Sequence, residues 1–294
     1  MKTWSLLLIV VAVVAVVSLL SIWFVTSQTD FVSANMQWNG ISKFQLASGA
    51  KEIQSLSDLP SSTGNTALIS VPYQPYDDTE KARLRDFMSN GGTLLLADDF
   101  GYGNQFLEYL GVTARFDGRP LLDPLFCYRN AWLPKITDFS PTLAQNGINL
   151  VILNHATTLT NVGDIEILAW SSPTSFIDTN GDGQQGSGEL SGVFPVAATM
   201  TFGNGRLVLL SDPSVILNGM TGDNNNYEFV PALVNLGVMQ PMELVVDTSH
   251  LSKSPLDVSK VQLNKVKGWV SQPYPLLAIV TMIFISTAAL VLRR

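Results

Sequence analysis

Residues 66–111 read TALISVPYQPYDDTEKARLRDFMSNGGTLLLADDFGYGNQFLEYLG, and this stretch decides the fold class. Ala67 to Val71 is a short apolar run closed by Pro72, the pattern of a buried strand. Asp77, Asp78 and Thr79 supply N-caps for a helix running through Met88, with Leu84, Phe87 and Met88 on one face. Asn90-Gly91-Gly92 stops it. Thr93 to Ala97 is a second buried strand, followed by the acidic turn Asp98-Asp99-Phe100-Gly101-Tyr102-Gly103. Asn104 then caps a helix that packs Phe106, Leu107 and Leu110 inward and ends at Gly111. Strand, helix, strand, helix at this spacing predicts an α/β fold with a mostly parallel sheet flanked by helices.

Downstream the signal is uneven. Residues 113–145 are rich in Pro, Asp and aromatic side chains and show no period. Asn149 to Leu153 and Glu166 to Trp170 read as strands. Pro195 to Phe202 and Arg206 to Leu210 form a hairpin about Gly203-Asn204-Gly205. Ser211-Asp212-Pro213 is a cap followed by proline at the first helical position, and Leu244 to Val246 is a last strand.

The two ends differ from the middle. The chain is 46 % apolar and only 14 % charged, an imbalance that points to lipid. Leu6 to Val25 is nearly pure Leu, Ile, Val and Ala, and about 20 such residues span a hydrocarbon core. Leu276 to Leu292 is a second uncharged run, entered through Tyr274 and Pro275 and closed by Arg293-Arg294. These runs predict one transmembrane helix at each terminus. Val32-Ser33-Ala34 would suit signal cleavage, but the first run is too long for a usual signal core, which favours an uncleaved anchor. The expected layout is an anchor at 1–29, an α/β domain at 30–250, a lysine-bearing stalk at 251–273 and a second span at 274–294. Lys2 and the terminal arginines place both ends in the cytoplasm and the domain outside, in a two-pass cell-membrane protein with lipid as a partner. Lys260, Lys265 and Lys267 pull against that orientation.

The net charge is −7, which excludes nucleic acid as the partner because phosphates must be neutralised by cations. The lone Cys127 forms no internal disulfide, and no Cys/His cluster has zinc spacing.

Residues 178–189, DTNGDGQQGSGE, match a twelve-residue calcium loop. Asp178, Asn180 and Asp182 offer side-chain oxygens at positions one, three and five. Gly183 permits the turn, Gln184 gives a backbone carbonyl, and Glu189 closes the shell. Pro173 and Pro195 flank the loop in place of amphipathic helices, so the expectation is a static, structural Ca2+ site of extracellular affinity.

A second constellation follows from the sheet, since open α/β folds place ligands beyond the carboxyl ends of their strands. Two strands end in acids, at Asp98-Asp99 and at Asp212. Asn104 follows the first, Asn218 the second, and an amide-rich stretch at Asp223-Asn224-Asn225-Asn226 lies beyond. Helix capping and turn chemistry account for the same residues. Catalytic motifs are missing: Cys127 sits among bulky neighbours, and neither His155 nor His250 belongs to a triad or metal motif.

Residues 79–112, with their helix, Gly91-Gly92, apolar strand and closing Leu110-Gly111, resemble the class I glutamine amidotransferase-like fold. Ser175-Phe176-Ile177-Asp178, Phe194-Pro195-Val196-Ala197-Ala198, Gly203-Asn204-Gly205-Arg206 and Ser211-Asp212-Pro213-Ser214 are similar to archaeal membrane proteins of domain-of-unknown-function family 4350. The resemblance implies a flavodoxin-like sheet without enzymatic activity, and partnership with MoxR-type AAA ATPases and von Willebrand factor A-like proteins. Asp98-Asp99-Phe100-Gly101 stands where amidotransferases carry their nucleophilic cysteine.

The expected function is therefore a non-catalytic, membrane-anchored domain with a structural calcium loop, acting in binding or assembly. A metal-dependent hydrolase or transferase using the acidic strand ends is one alternative. A glycan or peptide receptor using Tyr102, Tyr128 and Trp132 is another.

Overall fold

A computed structural model describes residues 3–60, 64–220, 222, 224–275, 277, 278, 281 and 285. The chain divides into two compact units, one of residues 29–252 and one of residues 1–28 with 253–294.

The larger unit is a mixed α/β domain built on an eight-stranded sheet. Its strands, in chain order, are β1 (Lys51–Ile53), β2 (Thr66–Ser70), β3 (Thr93–Ala97), β4 (Asp138–Phe139), β5 (Glu166–Trp170), β6 (Pro195–Phe202), β7 (Gly205–Leu210) and β8 (Glu243–Asp247). Their order across the sheet is β1-β8-β2-β3-β7-β6-β5-β4. The pairings from β1 to β7 are parallel, and those from β7 to β4 are antiparallel. The β6–β7 hairpin introduces the change of direction, turning at Gly203, whose φ of 58° suits glycine.

The central strands are covered on both faces, which is why they read as continuous apolar runs. In the smaller unit α1 spans Thr3–Phe24; in the larger, α2 (Ser42–Ser48), α3 (Asp78–Ser89), α4 (Asn104–Tyr109), α5 (Pro141–Gln145) and α6 (Asn226–Val234) follow. Alternation sends Ile69, Leu95, Val208 and Leu210 into one core with Phe44 of α2, Leu143 of α5 and Phe229 and Leu233 of α6. Leu68, Leu94, Leu96, Leu207 and Leu209 enter the opposite core with Leu84, Phe87 and Met88 of α3 and Phe106 and Leu107 of α4. Asp77 caps α3 through a capping box, accepting the Glu80 N–H at 2.8 Å and donating its own N–H to the Glu80 carboxylate at 2.9 Å.

The central elements fall where the pattern places them. The aperiodic stretch 113–145 contains only two-residue strands, besides α5. Asn149 to Leu153 reduces to the two-residue strand Val151–Ile152.

In the smaller unit, α1 accompanies α7 (Pro255–Val270). Ser254 caps α7 by accepting the Asp257 N–H at 3.1 Å, so the lysine-bearing segment is helical. Ser27 donates to Asp257 at 2.8 Å, and the Lys267 ammonium lies 4.8 Å from the Trp23 ring centre.

The expected membrane layout is corrected here. Among the described residues no helix is long and apolar enough to cross a membrane. Most of 276–292, with Lys2, Arg293 and Arg294, lies outside the described residues. The described residues therefore do not support terminal transmembrane helices, a two-pass placement or the outward-facing assignment built on them.

Candidate functional site

Three neighbouring strands, β2, β3 and β7, end on one edge in a fixed register, with Ser70 opposite Leu96 and Ala97 opposite Leu210. Val71, Ala97 and Leu210 all enter the same core. Two residues beyond each, in one row, stand Tyr73, Asp99 and Asp212. Burial drives the Tyr73 hydroxyl well above the usual phenol range, and the charges of Asp99, Asp30, Asp212 and Asp98 push it further.

Asp98 belongs to the turn that presents this row. One of its oxygens accepts the N–H groups of Phe100 and Gly101, both at 2.9 Å, and the other accepts that of Gly103 at 2.6 Å. Gly101 takes a φ of 88° to close the turn. Burial raises the Asp98 carboxyl against those three bonds. Asp99 follows half-buried; burial, then the charge of Asp98, lifts its pKa to about 7. Asp212 is fully buried and accepts the N–H groups of Asn154 at 2.6 Å and Ser214 at 2.7 Å. Burial dominates there, the Asp99 charge adds to it, and the pKa reaches about 8.

Aromatic rings surround the row. Phe100 is 57 % and Tyr102 50 % exposed, with ring centres 5.7 Å apart. Tyr73 lies 6.2 Å from Phe100 and 6.5 Å from Tyr102. Phe31, buried with a φ of 58°, is 6.1 Å from Tyr73 on its other side. A bulky residue held in the left-handed region carries strain, and such strain clusters at functional positions.

The amides expected beside these acids act elsewhere. Asn104 pairs with the backbone of Phe116 through both ends of its side chain, each at 2.9 Å, and Gly103 holds the N-cap position of α4. Asn218 braces the segment before α2, accepting the Lys43 N–H at 2.9 Å and donating to the Gln37 carbonyl at 2.7 Å. Asn225 accepts the Asn149 N–H at 3.0 Å and Asn226 that of Ile152 at 2.9 Å; Asp223 lies outside the described residues. Of the five expected cleft residues, only Asp98, Asp99 and Asp212 come together. Among the receptor aromatics, Tyr102 joins this edge. Tyr128 carries the Arg129 guanidinium 4.9 Å from its ring centre, and Trp132 stacks on His155 at 4.6 Å.

His250 ties the edge to α3. It is buried between Asp247, 2.7 Å from Nδ1, and Glu80, 3.2 Å from Nε2. Burial alone would lower its pKa, but the bonds and charges of those two acids raise it. Its carbonyl accepts the Tyr73 N–H at 3.0 Å.

The calcium reading is also corrected. Among the described residues no group of three or more His, Cys, Asp or Glu could hold a metal ion. Each carboxylate oxygen of the 178–189 loop accepts a donor from the loop itself. Asp178 takes the N–H groups of Gly181 at 2.7 Å and Gly183 at 2.9 Å. Asp182 takes those of Gln184 and the Asn180 amide, and Asn180 in turn accepts the Asp182 N–H. Glu189 takes those of Gly186 and Thr179, which lower its pKa. Glycines at the turns and acids at regular spacing satisfy a metal-free loop as well as a liganded one.

The fold and this edge define a mixed α/β domain with an aromatic and acidic patch beyond its parallel strands. The sequence matches the family described as a domain of unknown function (DUF4350) over residues 33–234, and the chain belongs to that family. No curated protein matches it. Among solved structures it is similar to the mmIFT52 N-terminal domain, at 12 % identity and TM-score 0.47, over 61 % of this chain and 79 % of that one. It is also similar to a β-galactosidase from Bacillus circulans sp. alkalophilus, at 14 % identity and TM-score 0.32, over 53 % of this chain and 21 % of that one. A catalytic mutant of Gan42B, a GH42 β-galactosidase from G. stearothermophilus, gives 16 % identity and TM-score 0.34, over 56 % of this chain and 20 % of that one. The chain thus spans about a fifth of each galactosidase, and at these scores the likenesses carry no functional weight.

Two expectations follow. Asp178→Ala leaves the Gly181 and Gly183 N–H groups without their acceptor, at about 1–3 kcal/mol. Thermal denaturation should show a midpoint lowered by roughly 2–4 °C per kcal/mol, with faster exchange of those two amides; unchanged exchange would contradict the assignment. Asp99 has a folded pKa of about 7 against 3.8 unperturbed, so the folded state retains a proton that the unfolded chain loses. Its contribution to stability falls as pH rises from about 4 to about 7 and is constant above. Asp99→Asn should therefore raise the melting midpoint at pH 8 and leave it nearly unchanged at pH 4. A pH-independent difference would argue against the shift.

Proposed function

We propose that this chain is a non-catalytic binding domain that works in the assembly of a larger complex. In this proposal a cationic group of the partner docks on the edge formed by Tyr73, Asp99, Phe100 and Tyr102, above the buried Asp212. The observation that carries the proposal is the row of one phenol and two acids at the ends of β2, β3 and β7, with two exposed rings beside it. Crowded carboxyls with raised pKa values repel one another, and a cation relieves that repulsion. Aromatic faces within about 6 Å attract the same charge. Chemistry at this edge has less support. Asp212 is fully enclosed and both its oxygens are engaged by backbone N–H groups, so it presents no proton outward. An archaeal source and partnership with MoxR-type ATPases and von Willebrand factor A-like proteins remain part of the proposal on the resemblance of sequence motifs alone.

Calorimetric titration of the full chain with a tetra-arginine peptide tests it. Binding should strengthen between pH 6 and pH 8 as Asp99 ionises, weaken with salt, and fall about fivefold in Phe100→Ala. Equal binding of a tetra-glutamate peptide, or no loss in Phe100→Ala together with Asp99→Asn, would overturn it.

A further inference from the structure

A second concavity lies where β5 ends. It has a volume of about 460 Å³ and is lined by Leu125, Phe126, Asp138, Trp170, Pro173 and Val193, with hydroxyls from Thr137, Ser172 and Thr174. That volume falls within the range of ligand pockets, about 300–1,000 Å³. β5 runs antiparallel to β6, as β7 does, so the cavity opens on the edge that carries Asp99 and Asp212. Nothing in the acid and aromatic row uses it.

The protons beside this cavity can be accounted for. Asp123, fully buried behind it, accepts the hydroxyl of Thr174 at 2.8 Å, that of Ser175 at 3.2 Å and that of Ser172, together with the N–H groups of Leu125 at 3.0 Å and Phe126 at 2.7 Å. Burial would raise its pKa, but these donors outweigh it and keep the carboxylate ionised. A hydroxyl has one proton, so Ser172 and Thr174, having given theirs to Asp123, have none to donate to the cavity; Ser172 also accepts the Thr174 N–H at 3.1 Å, and the two hydroxyl oxygens lie 2.8 Å apart, which leaves Thr174 the freer acceptor. The Asp138 carboxylate, exposed at the mouth, has no hydrogen bond or ion pair from its side chain among the described residues. Donors are few, namely the Trp170 indole N–H and the Thr137 hydroxyl, since Ser171, also in the wall, turns its hydroxyl toward the Ser172 and Gly192 carbonyls at 3.5 Å. The remaining wall is apolar, and Leu125 (78 % exposed) and Val193 (49 %) stand at its rim.

Acceptors at one end and hydrocarbon along the sides suit an apolar stem that ends in a donor-rich cation. We propose that this cavity receives a lysine side chain of a partner chain, with its ammonium at Asp138, its stem along Phe126 and Trp170, and the apolar residues beside it over Leu125 and Val193. The chain's own Lys135 already places its ammonium 5.9 Å from the centre of the Phe126 ring, so that ring lies in a cation's reach. Charge complementarity with this acidic chain selects a basic partner. The inference agrees with the assembly reading but rests on different residues.

The test is calorimetric titration of the full chain with the peptide acetyl-Leu-Lys-Val-amide. Saturable binding is expected, weakened about fivefold or more by Asp138→Asn and by Phe126→Ala, and abolished when the peptide lysine is acetylated. Asp99→Asn should leave it unchanged. Equal binding of the acetylated peptide, or indifference to Asp138→Asn, would overturn the proposal. Binding of free n-butylamine as tight as that of the peptide would overturn the docking of a chain segment in favour of a small-amine site. Loss on Asp99→Asn alone would assign the peptide to the acid and aromatic row instead. Failure of tetra-arginine at that row, with this peptide still bound, would leave the cavity proposal standing by itself.

Discussion

The parallel register of β2, β3 and β7 is the constraint from which the rest of the structure follows. With Ser70 opposite Leu96 and Ala97 opposite Leu210, side chains alternate into the two cores in step across the three strands. The same step places Tyr73, Asp99 and Asp212 side by side. A slip of one residue in any strand would turn its apolar set toward the wrong core. The cost of that slip fixes the strands, and the fixed strands force two acids and a phenol into one partly enclosed row. The raised pKa values of Asp99 and Asp212 are thus an electrostatic consequence of packing, maintained by the apolar contacts beneath them.

Around that row the polar groups divide into those consumed by structure and those left facing outward. Asp98, Asn104, Asn218 and every carboxylate of the 178–189 loop are engaged by the protein's own donors or backbone. Asp123 is engaged so fully that it determines what its neighbours can offer, leaving Ser172 and Thr174 without a hydroxyl proton to donate. What remains available on the carboxyl edge is acid, lone pair and aromatic face. Each of these favours a cationic partner, and each is sited where open α/β sheets receive their ligands.

The sequence made the centre of this fold legible, because strands covered on both faces must be continuous apolar runs and the helix between β2 and β3 carries its own cap and stop signals. It also marked Asp98, Asp99 and Asp212, since acids directly after such runs stand out. Tyr73 was missed, although Val71-Pro72-Tyr73 has the same two-residue offset past a core-facing side chain as Asp99 and Asp212 have. Only the register shows that the three offsets align. The cavity beside Trp170 was hidden because its wall comes from the aperiodic stretch after Thr113 and from the turn after β5, which meet only in three dimensions. The calcium motif misled for a physical reason: Asx turns and calcium loops draw on the same residues, and the acids here close on their own backbone. The apolar ends predict spans that no helix among the described residues provides.

The most direct measurement is carboxyl carbon NMR of Asp99 and Asp212 across pH 3 to 10, with and without tetra-arginine peptide. The account predicts midpoints of about 7 and about 8 in the free chain, with that of Asp99 moving down when the peptide is bound. Midpoints near 4 for both acids, or an Asp99 midpoint indifferent to the peptide, would contradict it.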